Sequence, residues 1–207
     1  GTAGHTIPHH LGAVPKMIIV KRLDGASGWH TYHASLGNTQ RMSLNETDAT
    51  SSDSTAWNDT TPTSTVFTVG NSGTTNVNDA DTIAYCFAEK TGYSKFGKYI
   101  GNGQSNNGAF VYTGFKPAFV LIKDTSATWH WRMNDHKRDS FNNTTNKVLF
   151  PSDPSLEVTN EKDMDLLSNG FKVRGANPSN QSGNTYIYMA FSEASLVGSN
   201  DIPCTAR

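Results

Sequence analysis

The sequence is poor in cysteine, in long apolar runs and in net charge, and each shortage excludes a class of protein. Cys86 and Cys204 are the only two cysteines among 207 residues, and no Cys-x-x-Cys pair occurs, which excludes a disulfide-dense scaffold and a cysteine-ligated zinc finger. The longest strongly apolar runs reach about six residues, too short for a membrane-spanning helix. The 17 basic and 18 acidic residues form no basic stripe, so we expect no nucleic-acid partner and no membrane partner.

Catalytic and cofactor-binding signatures are also missing. The sequence has no Gly-x-Ser-x-Gly elbow, no phosphate-binding Walker loop, no Gly-x-Gly-x-x-Gly fingerprint, no His-Glu-x-x-His pair and no EF-hand loop. We therefore expect no enzymatic activity, no catalytic residue and no cofactor.

The chain does contain many short segments that are rich in β-branched and aromatic residues and are bounded by Gly, Pro, Asn and Ser. No amphipathic pattern of ten or more residues predicts a long helix. Only Ser54–Trp57 and Asp163–Ser168 are expected to form short helical turns, and the acidic residues are expected to be solvated in loops. This pattern predicts an all-β protein built from β-sandwich or jelly-roll-like units.

The two halves of the chain resemble each other. Pro15 falls on Pro117 and Trp29 on Trp131, both 102 positions later, and several apolar segments match in the same order. The matched segments are VPKMIIVK with KPAFVLIK, VFTVG with GFKVR, and TIAYCFAE with YIYMAFSE. We therefore predict two tandem copies of a repeat of about 100 residues.

The predicted domain boundaries follow from this alignment. Residues 1–92 form the first copy, residues 93–197 form the second, and residues 198–207 form a C-terminal tail. The second copy opens with KYIGNG at Lys98–Gly103, whereas Gly1 aligns with Gly103. We therefore expect the first copy to lack its opening strand, and the chain to be part of a longer polypeptide.

Four predicted strands are apolar at successive positions: MIIV, AFVLI, IAYCFA and YIYMAF. A strand with one face in water alternates apolar and polar residues, so strands that are apolar at successive positions need cover on both faces. Part of that cover is expected from neighbouring subunits, and the predicted assembly is a homotrimer.

Three histidines near the start, His5, His9 and His10, suggest a metal site or a hydrogen-bonded turn before the first long strand. The second copy reads GAFVYTGFKP at the corresponding place and has no histidine. The Gly and Pro are kept, so Gly12 and Pro15 are interpreted as the scaffold of the turn. The turn is therefore the favoured interpretation, and no metal is expected.

Six residues are the candidates for ligand binding. Because Trp29 and Trp131 occupy equivalent positions, they are interpreted as core, and their neighbours along each strand point to the opposite face. Trp57 lacks a counterpart and lies in a polar segment, as an aromatic binding residue often does. The candidate ligand-binding residues are Trp57, Asn58, His30, Tyr32, His130 and Arg132.

The segments quoted above, together with GWHTYHASLG and STAWNDTTPTSTVFTVG, resemble a repeat domain of tailed-bacteriophage virion proteins. This domain is frequent in marine and cyanobacterial phages, in tail-fibre or other structural proteins. The resemblance covers nearly the whole chain. It implies a location on the virion surface, in a tail fibre or capsid appendage, and it implies no catalytic residues.

The expected function is attachment to a host-surface component, with a cell-surface glycan and other virion proteins as partners. One alternative is a purely structural domain for capsid or tail decoration or assembly. A polysaccharide depolymerase is a second alternative, which would need a cleft with two carboxylates about 5–10 Å apart.

The histidine motif provides a first test. Because the second copy makes the same turn without histidine, His5, His9 and His10 should not bind a metal together. Elemental analysis after dialysis should find no stoichiometric zinc or nickel. A metal content that disappears in a His9→Ala variant would show that the motif is a metal site.

Overall fold

The computed structural model describes residues 1–138, 146–155, 157–161, 163–176 and 178–193, and the backbone of residues 196–197 and 203–204. Every regular element in these residues is a β-strand, and every strand pair is antiparallel. The predicted all-β class is therefore confirmed. Among these residues there is no helix of a length and apolarity that would cross a membrane.

The chain forms two compact units, Gly1–Glu89 and Lys90–Arg207. The division falls close to the boundary expected after residue 92. Most of the expected tail, residues 198–207, lies outside the described residues.

Unit 1 has seven strands in two sheets. They are β1 (His5–Pro8), β2 (Pro15–Arg22), β3 (His30–His33), β4 (Gln40–Ser43), β5 (Ser51–Ser52), β6 (Val66–Val69) and β7 (Thr82–Ala88). One sheet has the order β5-β4-β3-β2-β7, and the other pairs β1 with β6. The core lies between the two sheets, where Ile18 and Val20 of β2 pack against Phe67 and Val69 of β6.

Unit 2 has eleven described strands. They are β8 (Ser94–Ile100), β9 (Phe110–Tyr112), β10 (Pro117–Asp124), β11 (Arg132–Asp135), β12 (Asn146–Val148), β13 (Val158–Glu161), β14 (Met164–Leu167), β15 (Gly170–Val173), β16 (Thr185–Ser192), β17 (Leu196–Val197) and β18 (Pro203–Cys204). The larger sheets have the orders β11-β10-β16-β8 and β14-β15-β9. Their facing residues form a second core around Phe171, Val173, Val120 and Ile122.

The turn before the long central strand has the same backbone in both units. Gly12 and Gly114 both have positive φ, at 66° and 84°, where a residue with a Cβ would be strained. Pro15 and Pro117 are the first residues of β2 and β10. The interpretation of glycine and proline as the scaffold of this turn is consistent with these conformations.

Two equivalent lysines stabilise the turn at the other end of the central strands. Lys123 is buried and donates hydrogen bonds from Nζ to the carbonyl oxygens of Asp124 and Ala127, at 2.7 and 3.5 Å. Lys21 makes the same two contacts 102 positions earlier, with Arg22 and Gly25. Because a buried ammonium must be hydrogen-bonded, Lys123 fixes the path of the turn that follows it, and the half-buried Lys21 makes the equivalent contacts in unit 1.

The continuous apolar strands differ in their cover. In β2, the residues from Met17 to Val20 are all buried, and β10 and β16 contain similar buried runs. For these strands, cover on both faces is confirmed. The expectation is wrong for β7, in which every residue is half-buried or exposed. The reason is that β7 lies at the edge of its sheet, whereas β16 lies between β10 and β8.

The expectations for Asp163–Ser168 were also wrong. Residues 164–167 form β14 rather than a helical turn, because Met164 and Leu166, two residues apart, both face the core of unit 2. Asp163 and Asp165 are buried rather than solvated, and each is ion-paired, with Arg132 and Arg174 respectively. At Ser54–Trp57, where a short helical turn was also expected, the structure has a turn that contains no helix.

Asp163 is the centre of a buried polar network in unit 2. Arg132 donates from Nε to Oδ1 at 3.1 Å, Asn134 donates from Nδ2 to Oδ2 at 2.7 Å, and the hydroxyl of Ser179 also donates to Oδ1. The carboxylate is fully buried, so these donors replace the water it would have in the unfolded chain.

An Asp163→Asn variant tests this network. The substitution removes the negative charge from beside the buried Arg132, so the free energy of unfolding of unit 2 should fall by about 3–5 kcal/mol. Urea unfolding followed by circular dichroism measures the change. Asp48→Asn, at an exposed position, is the control and should change stability little; an equal loss in both variants would contradict a role for the network.

Candidate functional site

Two of the predicted ligand-binding residues belong to the core of unit 1. Trp57 and Tyr32 are 1% and 3% exposed, and their rings meet edge to face with centroids 5.7 Å apart. A buried ring offers no surface to a sugar, so neither residue contacts a surface ligand in this structure. Trp57 lies in a polar segment of sequence, but the turn at residues 54–57 directs its side chain inward.

His30 and Arg132 are buried as well, at corresponding positions of β3 and β11. Arg132 neutralises Asp163, as described above. Burial, and then the nearby positive charge of Arg41, lowers the pKa of His30 below its usual value of 6.5, although Glu46 and Asp53 act in the opposite direction. Both side chains therefore serve the fold of their own unit.

The other two predicted residues, His130 and Asn58, are half-buried. The ring of His130 stacks on Phe150 with centroids 4.9 Å apart, and its Nδ1 is 2.9 Å from the hydroxyl oxygen of Ser152. Asn58 has a φ of 52° in the turn after Trp57. The six predicted residues are divided between the two units and form no common site within either.

The histidine motif forms a hydrogen-bonded turn. Nδ1 of His9 accepts a hydrogen bond from the backbone of Leu11 at 3.2 Å, and Nε2 lies 3.1 Å from the carbonyl oxygen of Thr63. With both ring nitrogens engaged, His9 has no lone pair directed at a metal in this conformation. In the part of the chain that the structure describes, no three histidine, cysteine or carboxylate side chains are grouped as metal ligands.

A cleft of about 540 Å³ lies in unit 1, beside β1, β6, β2 and β7. This volume is within the range of small-molecule and side-chain binding pockets. Its lining combines buried apolar side chains, such as Val20 and Phe67, with polar ones, such as the buried Thr75 and the exposed His5. The lining residues are His5, Ile7, Pro8, His9, His10, Val20, Phe67, Val69, Thr75, Asn76, Val77, Ala80, Thr82, Ala84 and Cys86.

The corresponding region of unit 2 is filled with tyrosine side chains. Tyr99 of β8 stacks on Tyr186 of β16 with centroids 4.8 Å apart, and Tyr188 packs edge-on against Phe171 at 5.4 Å. The hydroxyl of Tyr99 donates to the carbonyl oxygen of Ser179 at 2.7 Å. Burial raises the pKa of Tyr99 and of Tyr186, so both phenols stay neutral.

Strand register explains why unit 1 has a cleft at this place. Val20 pairs with Ala84, whereas Ile122, the counterpart of Val20, pairs with Tyr188. Two residues further along the same strands, Arg22 pairs with Thr82, whereas Asp124 pairs with Tyr186. Two tyrosines of unit 2 are thus replaced by small residues in unit 1, and none of the described strands lies beside β7 at the place that β8 occupies beside β16.

Unit 2 has a distinctive surface of its own, on the outer face of the sheet β14-β15-β9. Phe110 and Tyr112 are 48% and 63% exposed, while Val111 between them is buried in the core. Lys172 of β15 is directly opposite Phe110, and its Nζ donates to Oδ1 of Asn107 at 2.8 Å. We call Phe110, Tyr112, Lys172 and Asn107 the aromatic face.

Sequence reasoning missed the aromatic face, although a signal was available. Phe110 and Tyr112 flank a core valine in AFVYTG, at alternate positions of a strand. Their counterparts next to Ile7 in β1 are Thr6 and Pro8, since Ile7 pairs with Phe67 as Val111 pairs with Phe171. The fold therefore does not need aromatic residues at these two positions. Comparing the two copies, as was done for the histidine motif, would have identified Phe110 and Tyr112 as residues of one copy only.

The chain belongs to the family described as a domain of unknown function, DUF7483, which matches residues 1–195. No curated protein and no solved structure matches the chain.

The lowered pKa of His30 predicts a pH-dependent stability. Because the unfolded chain binds the proton more readily than the folded chain, this contribution is complete above about pH 6.5 and is lost as the pH falls toward the folded pKa. A His30→Gln variant should therefore lose less stability than the wild type between pH 7.5 and pH 5 in urea unfolding. His5→Gln, at an exposed position, should keep the wild-type slope, and identical slopes in all three proteins would refute the assignment.

Proposed function

We propose that this DUF7483 chain is a non-enzymatic attachment domain on the surface of a phage virion, in a tail fibre or capsid appendage, and that it binds a glycan of the host surface. The aromatic face is the observation that carries this proposal. The resemblance to phage virion repeat domains supports the location.

The chemistry of the aromatic face suits a carbohydrate. The C–H faces of a pyranose ring are apolar and pack on aromatic rings, and its hydroxyl groups need hydrogen-bonding partners. Phe110 and Tyr112 offer two exposed rings on one strand, spaced by two residues. Lys172 and Asn107 offer an ammonium and an amide at the edge of the same surface. An alternating strand thus holds the rings outward while Val111 anchors it in the core.

We also propose that the two units are tandem copies of one repeat, of a jelly-roll-like kind. The equivalent Gly–Pro turns, the equivalent lysine contacts and the equivalent register of the central strands support this. The aromatic residues occur in the second copy alone, so each chain would offer one such face.

A single glycan contact of this kind is weak, and a homotrimer would present three of them. Linked sites raise the overall affinity by effective concentration, without any new contact. Trimerisation about a fibre axis therefore suits a domain whose individual sites have low affinity.

A second candidate function is a structural role in virion assembly, with other virion proteins as partners. The edge of β7, along which no other described strand lies, and the cleft beside it favour this candidate, because open strand edges and grooves are typical peptide-binding sites. For a depolymerase, the buried Asp163 and Asp165 give no comparable support, since each is neutralised by its own arginine.

Substitutions on the aromatic face test glycan binding. The purified chain should bind at least one polysaccharide in a panel of bacterial capsules and lipopolysaccharides, measured by biolayer interferometry. Phe110→Ala and Tyr112→Ala should each raise the Kd about two- to tenfold, the range expected from the loss of an aromatic contact.

Tyr93→Ala is the matched control, because Tyr93 is also an exposed aromatic residue but lies outside the aromatic face. Its Kd should equal that of the wild type. Absence of binding across the panel, or an equal loss in the control, would overturn the proposal.

A further inference from the structure

The outer edge of β7 has the properties of a strand-binding site. β7 pairs with β2 alone, and no other described strand lies along the opposite edge of Thr82–Cys86. Thr82, Ala84 and Tyr85 are exposed. Natural sheets protect such edges with charged residues, prolines or bulges, and TIAYCFA contains no charge and no proline.

Unit 2 shows what such an edge holds when it is occupied. There β8 pairs antiparallel with β16 over seven residue pairs, from Ser94–Phe191 to Ile100–Thr185. The inward side chain of Tyr99 enters the core beside Tyr186 and Phe171. Phe67 corresponds to Phe171 and lines the cleft of unit 1, so the surface that receives Tyr99 in unit 2 has an equivalent there.

We propose that the edge of β7 binds an antiparallel β-strand of a partner polypeptide, and that large apolar side chains at alternate positions of this strand fill the cleft. The partner strand would continue the sheet that already runs from β5 to β7. Main-chain hydrogen bonds would supply affinity, and the cleft would select the side chains.

The register defines the chemistry of the partner strand. In unit 2, Tyr99 lies opposite Tyr186 and Gly97 lies opposite Tyr188. A Cβ on Gly97 would come within 2.7 Å of the hydroxyl of Tyr188, so a side chain at that position would have to displace the buried Tyr188 ring. In unit 1 the opposite residue is Ala84, which leaves this space empty. The partner strand should therefore carry a large apolar residue opposite Ala84, and an aromatic residue two positions further along, opposite Thr82.

A strand explains the whole feature better than a compact small molecule. The cleft and the strand edge are continuous, because Thr82, Ala84 and Cys86 belong to both. A small molecule would fill the cleft and would not pair with the outward backbone groups of Thr82–Cys86. A strand would fill the cleft with its side chains and pair with the edge of β7 through its backbone, as β8 does with β16 in unit 2.

Synthetic peptides added to the full chain test this inference. The first peptide is SKFGKYIGNG, the sequence of residues 94–103, and the second carries Gly97→Phe. The Gly97→Phe peptide should bind about tenfold or more tightly than the unmodified peptide, the order expected when one aromatic side chain is buried. A peptide with Tyr99→Ser should bind more weakly than both. Fluorescence anisotropy of labelled peptides measures the three affinities.

An Ala84→Tyr variant of the chain provides a reciprocal control. Tyrosine at this position reproduces Tyr188 of unit 2, so it should reverse the preference, with the Gly97→Phe peptide excluded and the unmodified peptide retained. If the peptide instead took the place of β8 in unit 2, its affinity would not change with Ala84→Tyr, because Ala84 lies in unit 1. A preference that is the same in both chains would therefore overturn the proposal.

Cys86 reports directly on occupancy of the cleft. In a Cys204→Ser background it is the single thiol, and burial already raises its pKa. Bound peptide should slow its reaction with a disulfide reagent at least severalfold at pH 8.5. Hydrogen exchange should show new protection at Thr82–Cys86.

Failure of every peptide to bind, or binding without either form of protection, would overturn the inference. A chain dimer through β7 that the peptides do not dissociate would also overturn it.

These readouts are independent of glycan binding. The aromatic face belongs to unit 2 and the strand site to unit 1, so Phe110→Ala should leave peptide affinity unchanged. Loss of glycan binding with retained peptide binding would remove the proposed function and leave this inference standing.

Discussion

A β-strand has two edges and two faces, and the structure depends on how completely all four are covered. In β2 and β10 the cover is complete in the middle of the strand, since each lies between two antiparallel partners and has buried residues on both faces. Backbone groups and apolar side chains there are all withdrawn from water, which makes each strand the centre of its unit. The other strands are arranged around these two.

The scaffold and the distinctive surfaces use different residues. Gly12 and Gly114 set the turn before the central strand, and Lys21 and Lys123 set the turn after it. The cleft of unit 1 and the aromatic face of unit 2 are instead built where the two units differ, at positions that the fold leaves open to change.

The cores also differ in how they accommodate polar groups. Unit 2 buries a charge network, in which Asp163 accepts hydrogen bonds from Arg132, Asn134 and Ser179. Unit 1 has His30 and Tyr32 at the positions of Arg132 and Asn134, and it buries them as neutral groups. A buried charge must be matched by a partner, whereas a neutral side chain can be desolvated at lower cost. The two units therefore share strand geometry while differing in the polar groups that they bury.

Local residue patterns were sufficient to predict the all-β class, most of the strand positions and the Gly–Pro turn, because β-branched runs, glycine and proline act locally through backbone sterics. The accessibility of individual side chains depends instead on long-range packing. Trp57 reads as an exposed loop residue but is buried, and Asp163 reads as a solvated carboxylate but is enclosed by three donors. The cleft follows from strand order, since β7 is at an edge and β16 is not. Strand order depends on contacts between residues far apart in the chain, which local sequence patterns do not encode.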